Sequence, residues 1–467
     1  MVDKHLDIIC LGRAAVDLYG QQVGGRLEDM QTFAKYLGGS SGNLAAGLGR
    51  LGVRSAMLTR VGNDHMGRFV REQLQREGVD VSAVRTDPDR LTGLVILGIG
   101  PSGQIPHIFF RERCADMGLI EEDVEEAFIA SAHALAVTGT HLSTPTTRKA
   151  VHKAMRASKN SGGRVIIDID YRPVLWGLTV AGDGASRYVE SSVVTGFTQE
   201  VLPWCDLIIG TEEEISIAGG TTDLLSSVQK IRSLSNAAIV LKRGAAGCTV
   251  FDAATINSLE EGVVISGFPV EVFNTVGAGD AFLSGFLRAW IDRKSWRECG
   301  RLGNACGAIV VSRHGCTPAM PGPAELDRFM GSNPTPDPRH DKEMSHLHRA
   351  AMWQDDPRPL CVLAYDHRAQ LEELAAAHGR SNLDISRFKM LLTDVVLNVV
   401  EENDGSVRHG TIIDERHGQA ALDRLVESGH SIWTAAPIEM PGSRPLEFDP
   451  VFGAAQTIAA WSSASSG

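Results

Sequence analysis

The stretch FNTVGAGDAFLSGF, residues 273–286, sets Gly277, Ala278 and Gly279 directly before a carboxylate, Asp280. Beyond it, Phe282, Leu283, Phe286, Leu287, Trp290 and Ile291 fall at the spacing of a helix with one buried face. The Gly-Ala-Gly run is therefore a helix entrance. Its backbone N–H groups have no intrahelical partner, and the positive end of the helix dipole lies behind them. Small side chains there let a phosphate come close to the backbone. Asp280 stands where it can take a proton from a hydroxyl that attacks that phosphate. Read alone, the stretch is equally a glycine-rich turn with Asp280 as a helix cap.

Other stretches offer complementary chemistry. In GGSSGNLAAGLGRLG (38–52), Asn43 is expected to start a helix; its amide can bind sugar hydroxyls or simply cap that helix. Asp17, in LGRAAVDLYG, follows the first strand and suits two vicinal hydroxyls, or is a solvated loop acid. Asp168, Asp170 and Arg172 alternate at a strand end in IDIDYRP. Arg172 can grip a carboxylate or phosphate with its fork, or pair with the aspartates. GTEEE (210–214) offers carboxylates for the water ligands of Mg²⁺, or a solvated helix start. LKRGAAG (241–247) is a strand and glycine turn carrying Lys242 and Arg243 as phosphate neighbours.

Positioning these groups requires an α/β framework. Apolar strands such as LDIICLG, SAMLTRVG, HALAVTGT, RVIIDID and AAIVLK alternate with amphipathic helices, which indicates a mainly parallel sheet. Ligands of such sheets bind beyond the strands' carboxyl ends, where the candidate residues fall. Two Gly- and Pro-punctuated segments, 17–39 and 91–119, break the alternation and read as strands of a small lid. The pattern ends near residue 325. A Pro- and charge-rich linker follows (326–358), then a second unit over 359–467. With 467 residues the chain is too long for one typical core. A net charge of −12 argues against a general nucleic-acid or anionic-membrane binder. The eight cysteines form no Cys-x-x-Cys pair and read as reduced thiols. The N-terminus reads as a first strand rather than a signal peptide, so a cytoplasmic protein is expected. The P-loop pattern is absent.

Taken together, GG…N (38–43) and NTVGAGD (274–280), far apart and in this order, resemble the two signatures of the ribokinase-like (PfkB) carbohydrate kinases over about residues 5–325. The resemblance implies a three-layer α/β sandwich with a β lid. It implies ATP and Mg²⁺ as cofactors, a small-molecule sugar substrate, and a homodimer formed through lid strands. It gives roles by position: Asp280 as base, and Gly277, Ala278 and Gly279 as the hole for the γ-phosphate. Asp17, Gly39 and Asn43 would bind the sugar. Glu214 would organise Mg²⁺, and Lys242, Gly244, Gly247 and Asn304 would lie along the nucleotide. Two positions depart from the pattern. Asn274 replaces an aspartate that helps hold a monovalent cation, keeping an oxygen but losing the charge. Thr211 replaces the asparagine of Asn-x-x-Glu.

Within the family, GRAAVDLYG, FFRERCADMGL, DIDYRPVLWG and GTEEE look most like the subgroup that phosphorylates 5-dehydro-2-deoxygluconate in myo-inositol catabolism. Arg111 and Arg172 are then partners for the substrate carboxylate. The alternatives are a 2-dehydro-3-deoxygluconokinase, another sugar kinase of the family, or a non-catalytic sugar-binding relative. In the second unit, PLCVLAYDHR, GTIIDERHG and SIWTAAPIEM read as three barrel-type strands resembling part of an aldolase-like domain. That is too little for a closed eight-stranded barrel. Asp366, His367, Asp414 and Glu415 would lie at the strand ends and Lys389 in a helix away from them, so no separate activity is expected.

Overall fold

A computed structural model describes residues 4–100, 105–180, 182–331, 335–351, 358–430, 432–440, 442–445 and 447–448. The chain divides into two compact units, Met1–Gln354 and Asp355–Gly467.

In the first unit the apolar runs form one nine-stranded sheet. Its order is Val263–Ile265, Cys248–Phe251, Ala238–Lys242, Leu207–Thr211, Arg164–Asp168, Ala132–Thr138, Leu6–Leu11, Ser55–Gly62 and Val84–Asp87. Neighbours are parallel except at Cys248–Phe251, which pairs antiparallel on both sides. Strands buried on both faces read as near-continuous apolar runs, and LDIICL, RVIID, LIIGT and AIVLK supply them, with polar residues mostly at their ends. Successive side chains serve opposite layers: Ile9 and Leu11 enter one core, Ile8 and Cys10 the other. Each such side chain contributes roughly 1.5–3 kcal/mol by burial.

One helical layer carries the site. Helix Ala278–Ile291 packs on helices Trp296–Val311 and Ser40–Arg50. The crossing with Ser40–Arg50 is close because Gly47 has no side chain; a Cβ there would overlap Ser284 Oγ. The helix begins at Ser40, behind the N-cap Gly39, and not at Asn43. Asn43 lies one turn inside, so its amide faces the neighbouring helix instead of capping its own.

The lid is a separate four-stranded sheet, in order Phe33–Gly38, Ala15–Gly20, Gly93–Leu97 and His107–Phe110. Asp17 is therefore a strand residue, not a loop acid. The segment expected as linker holds helix Lys342–Ala351, whose Met344 is fully buried among Phe329, Ala319 and Met320. An apolar residue among the charges of this helix gave it a face to bury, so the first unit runs on past residue 325.

The second unit has the three expected strands, Leu360–Ala364, Arg408–Ile412 and Trp433–Ala435, paired in parallel. Lys389 lies on helix Asn382–Glu401 as expected, but its ammonium reaches the strand ends. It donates to the carbonyls of Tyr365 (2.8 Å) and His367 (3.0 Å) and pairs with Asp414. A long side chain can bridge from helix to sheet, which the residue's position in the chain does not reveal.

Candidate active site

The helix entrance is open. Gly277 is the N-cap of helix Ala278–Ile291 at φ 79°, with no side-chain cap. Asp280 thus does not cap the helix; the Ala278 N–H turns back onto the Thr275 carbonyl (3.4 Å), and the Gly279 and Asp280 N–H groups are left for an anion. A Cβ on Gly277 would overlap Cys316 Sγ, so the turn is packed from beneath. A Cβ on Gly279 would meet only Lys242 Nζ, at 3.6 Å. The ammonium thus borders the hole. Lys242 is held by Asp168 (2.9 Å) and Glu214 (3.4 Å), and both carboxylates raise its pKa despite burial. Burial in turn pushes Asp168 upward.

Thr211 has a local explanation. Its hydroxyl accepts the Glu214 N–H (3.3 Å), and Glu214 Oε2 accepts the Thr211 N–H (2.8 Å), a reciprocal capping box. Threonine caps the helix as asparagine would and leaves Glu214 pointing at Lys242. Glu212 and Glu213 are exposed.

Asp280 receives a hydrogen bond from Asn43 Nδ2 (2.8 Å), and Asn43 Oδ1 accepts one from Thr317 (2.8 Å). Burial pushes the Asp280 carboxyl up to about 6, and the Asp170 charge adds to this; the Asn43 bond, Arg13 and Arg172 oppose it. A carboxylate poised there is a competent base near neutral pH.

On the lid side Asp17 is buried, and its Oδ1 has no hydrogen-bond partner. Gly38 makes room for it, since a Cβ at 38 would overlap the carboxylate. Burial raises the pKa of Asp17 to about 6, moderated by Arg111 and Arg13. Arg111 is 3% exposed, directly after strand His107–Phe110, and pairs with Asp116. Its Nε and Nη1 have no hydrogen-bond partner. Gly39, at φ 87°, brings the loop within 2.7 Å (Cβ position) of the Arg13 carbonyl.

Arg13 is a site residue that sequence reasoning missed. Its guanidinium donates to Ser40 (2.9 Å) and to Asp170 (2.5 Å). Asp170 also accepts from Ser40 (2.7 Å), pairs with Arg172 (3.5 Å), and adopts φ 35°. The signal was a lone basic residue at the end of an apolar strand. Arg172 bridges onward to Glu214 (3.5 Å). Tyr19, Tyr36 and His314 make edge-to-face contacts beside this region; the buried Tyr19 hydroxyl has no partner and senses the Asp17 and Asp280 charges.

On the opposite side, Gly244 (φ 53°) and Gly247 (φ 94°) form the turn after strand Ala238–Lys242. Asn304 does not extend a free amide; it donates to the carbonyls of Ile265 (3.1 Å) and Ser266 (3.0 Å) and so braces the neighbouring turn. Among the described residues no cluster of three or more His, Cys, Asp or Glu could hold a metal. Mg²⁺ arriving with nucleotide needs only one or two carboxylates and keeps several waters. Asp168 and Glu214, beside the anion hole, fit that requirement. Asn274 is buried, with both polar atoms of its amide engaged: Oδ1 accepts the Val276 N–H (2.9 Å), and Nδ2 donates to the Arg313 carbonyl.

Residues 5–323 match the family described as pfkB family carbohydrate kinase. The chain belongs to the pfkB family of carbohydrate kinases. Its first unit is thus a phosphotransferase with an alcohol acceptor. Two pfkB relatives are named 5-dehydro-2-deoxygluconokinase. The one from Geobacillus kaustophilus is 31% identical over 70% of this chain and 94% of its own length. The one from Halalkalibacterium halodurans is 32% identical over 71% of this chain and 97% of its own. Among solved structures, a fructokinase double mutant from Vibrio cholerae O395, in fructose, ADP and potassium ion bound form, is 26% identical with a TM-score of 0.59. That match covers 71% of this chain and 100% of the other. Residues 325–465 match a family described as an uncharacterized protein conserved in bacteria (DUF2090). No described helix is long and apolar enough to cross a membrane.

Proposed function

We propose that the first unit phosphorylates the primary hydroxyl of 5-dehydro-2-deoxy-D-gluconate to the 6-phosphate, with MgATP as donor. The observation carrying this reading is the buried Arg111, with unpartnered N–H groups, acting electrostatically on Asp17, whose Oδ1 is also unpartnered. A buried guanidinium with spare N–H groups and a buried carboxylate within its electrostatic reach match a sugar acid, which brings both a carboxylate and hydroxyls. The names of the relatives point the same way.

In this reading Asp17, Gly39 and Asn43 hold the sugar, with Arg111 and Arg172 at its carboxylate. Asp280 takes the proton of the attacking hydroxyl. The N–H groups of Gly277, Ala278 and Gly279, with Lys242, stabilise charge on the transferred phosphoryl group, which is where this chemistry needs help most. Asp168 and Glu214 would hold the Mg²⁺ that accompanies the nucleotide, which would offset phosphate charge; Gly244 and Gly247 shape the nucleotide's wall, and Asn304 braces it. The enzyme works in the cytoplasm, where ATP is supplied. A dimer forms through the lid, whose outer strands present Phe33 and Phe110, 37% and 54% exposed.

The test is ADP release with 5-dehydro-2-deoxygluconate, 2-dehydro-3-deoxygluconate, fructose and ribose, with Asp280→Asn as control. The first substrate is expected to give the highest kcat/KM, and the variant to lose about 10²–10⁴-fold in kcat. A higher kcat/KM for any other sugar overturns the substrate. An unimpaired Asp280→Asn enzyme overturns the base.

A further inference from the structure

The loop before the anion-hole helix and the loop after helix Trp296–Val311 are stitched together. The N–H groups of Phe273 (2.7 Å) and Asn274 (3.1 Å) both donate to the Val311 carbonyl. Asn274 Nδ2 donates to the Arg313 carbonyl, and the Val276 N–H donates to Asn274 Oδ1 (2.9 Å). The orientation of this amide is dictated by its partners, since a carbonyl can only accept and a backbone N–H can only donate.

The Arg313 loop is anchored from its other side. The Arg313 guanidinium pairs with Glu325, which has no exposed side-chain surface. His348 faces both Glu325 (3.1 Å) and the Pro318 carbonyl (2.8 Å). Within the same loop Cys316 lies under Gly277.

A monovalent cation here would need oxygens with lone pairs directed at a common point. The residues do not fit it. The Val311 carbonyl already takes two N–H groups, and the atom of residue 274 facing the Arg313 carbonyl is itself a donor. With aspartate at 274, that facing atom would be an oxygen. Two acceptors in opposition repel unless a cation or a donor stands between them; the amide N–H closes the gap by itself. We propose that Asn274, backed by the Arg313–Glu325–His348 cluster, replaces a bound monovalent cation, so that this chain holds its anion hole in shape without potassium. The contrast is with the fructokinase solved with a potassium ion.

The test compares full-length protein in potassium, sodium and N-methylglucamine chloride at equal ionic strength, by kinase turnover and by thermal unfolding without substrates. The unfolding arm stands apart from the substrate assignment, and ATP turnover on any accepted sugar serves the other. Wild type is expected to give kcat equal within about twofold in all three salts, and no potassium-specific rise in Tm. Asn274→Asp is expected to lose at least about fivefold in kcat in N-methylglucamine and to recover it, with a rise in Tm, in potassium. The proposal is overturned if wild type is activated by potassium by about fivefold or more, or gains Tm only in potassium. It is equally overturned if a folded Asn274→Asp protein is indifferent to the cation. Should that variant not fold, the wild-type measurements decide.

Discussion

Asn43 Nδ2 donates to Asp280 Oδ2 at 2.8 Å, joining residues 237 positions apart. That bond favours the charged form of a carboxylate that burial pushes to about 6. The folded value lies above that of a free aspartate, so the group is protonated below about pH 6 and a base above it. Wild-type kcat/KM is therefore expected to fall below about pH 6, where Asp17, also raised to about 6, titrates alongside Asp280. Asn43→Ala removes a stabiliser of the anion. A hydrogen bond to a charged group contributes about 1.5–3 kcal/mol, so the acid limb is expected to move up by roughly 1 pH unit or more. A pH–rate profile of the two proteins checks this; a limb that stays in place contradicts the coupling.

The two glycines of the anion hole are expected to respond differently to alanine. At Gly277 the backbone is left-handed and a Cβ would overlap Cys316. Gly277→Ala is expected to destabilise the fold by about 2–4 kcal/mol, combining the φ penalty with overpacking. At Gly279 only Lys242 Nζ is near, at an ordinary 3.6 Å. Gly279→Ala is expected to keep its stability within about 0.5–1 kcal/mol and to lose turnover because its methyl group enters the phosphate's space. Urea unfolding set beside kcat separates the two.

Lys242 neutralises Asp168 and Glu214. In Lys242→Met the carboxylates keep Arg172, 3.5 Å from Glu214, as a nearby cation. Removing one partner of a buried pair costs about 3–5 kcal/mol. Burial already raises Asp168, and the variant raises it further, so the penalty is present where that group is ionised and fades as the pH falls through its raised pKa. The Tm difference from wild type is expected to be larger at pH 8 than at pH 5. A difference independent of pH would rule out this electrostatic origin.

In the second unit Asp414 pairs with the fully buried Lys389 and caps helix Glu415–Glu427. Asp414→Asn keeps a capping side chain but leaves an uncompensated ammonium. The calorimetric transition of that unit is expected to lose about 3–5 kcal/mol, and Asp414→Ala somewhat more through the lost cap, about 1 kcal/mol.

The sequence alone determined what depends on local pattern. Apolar runs four to eight residues long, alternating with amphipathic helices, specify strands buried on both faces and hence the parallel sheet. The glycines around Asp280 specify an uncapped helix entrance, because few other residues tolerate the backbone at Gly277. Tertiary structure decided what depends on partners far along the chain. Asn43 changed from a cap to the donor on Asp280 because two helices cross closely at Gly47. Asp17 moved from loop to lid strand, and Arg13 entered the site, because Asp170 and Ser40 lie beside it in space. Asn274 showed the same limit: its type reveals an oxygen and an amide, and only the Arg313 carbonyl opposite shows which of them faces inward. Residue type fixes which hydrogen bonds a side chain can make; the fold brings up the atoms that choose among them.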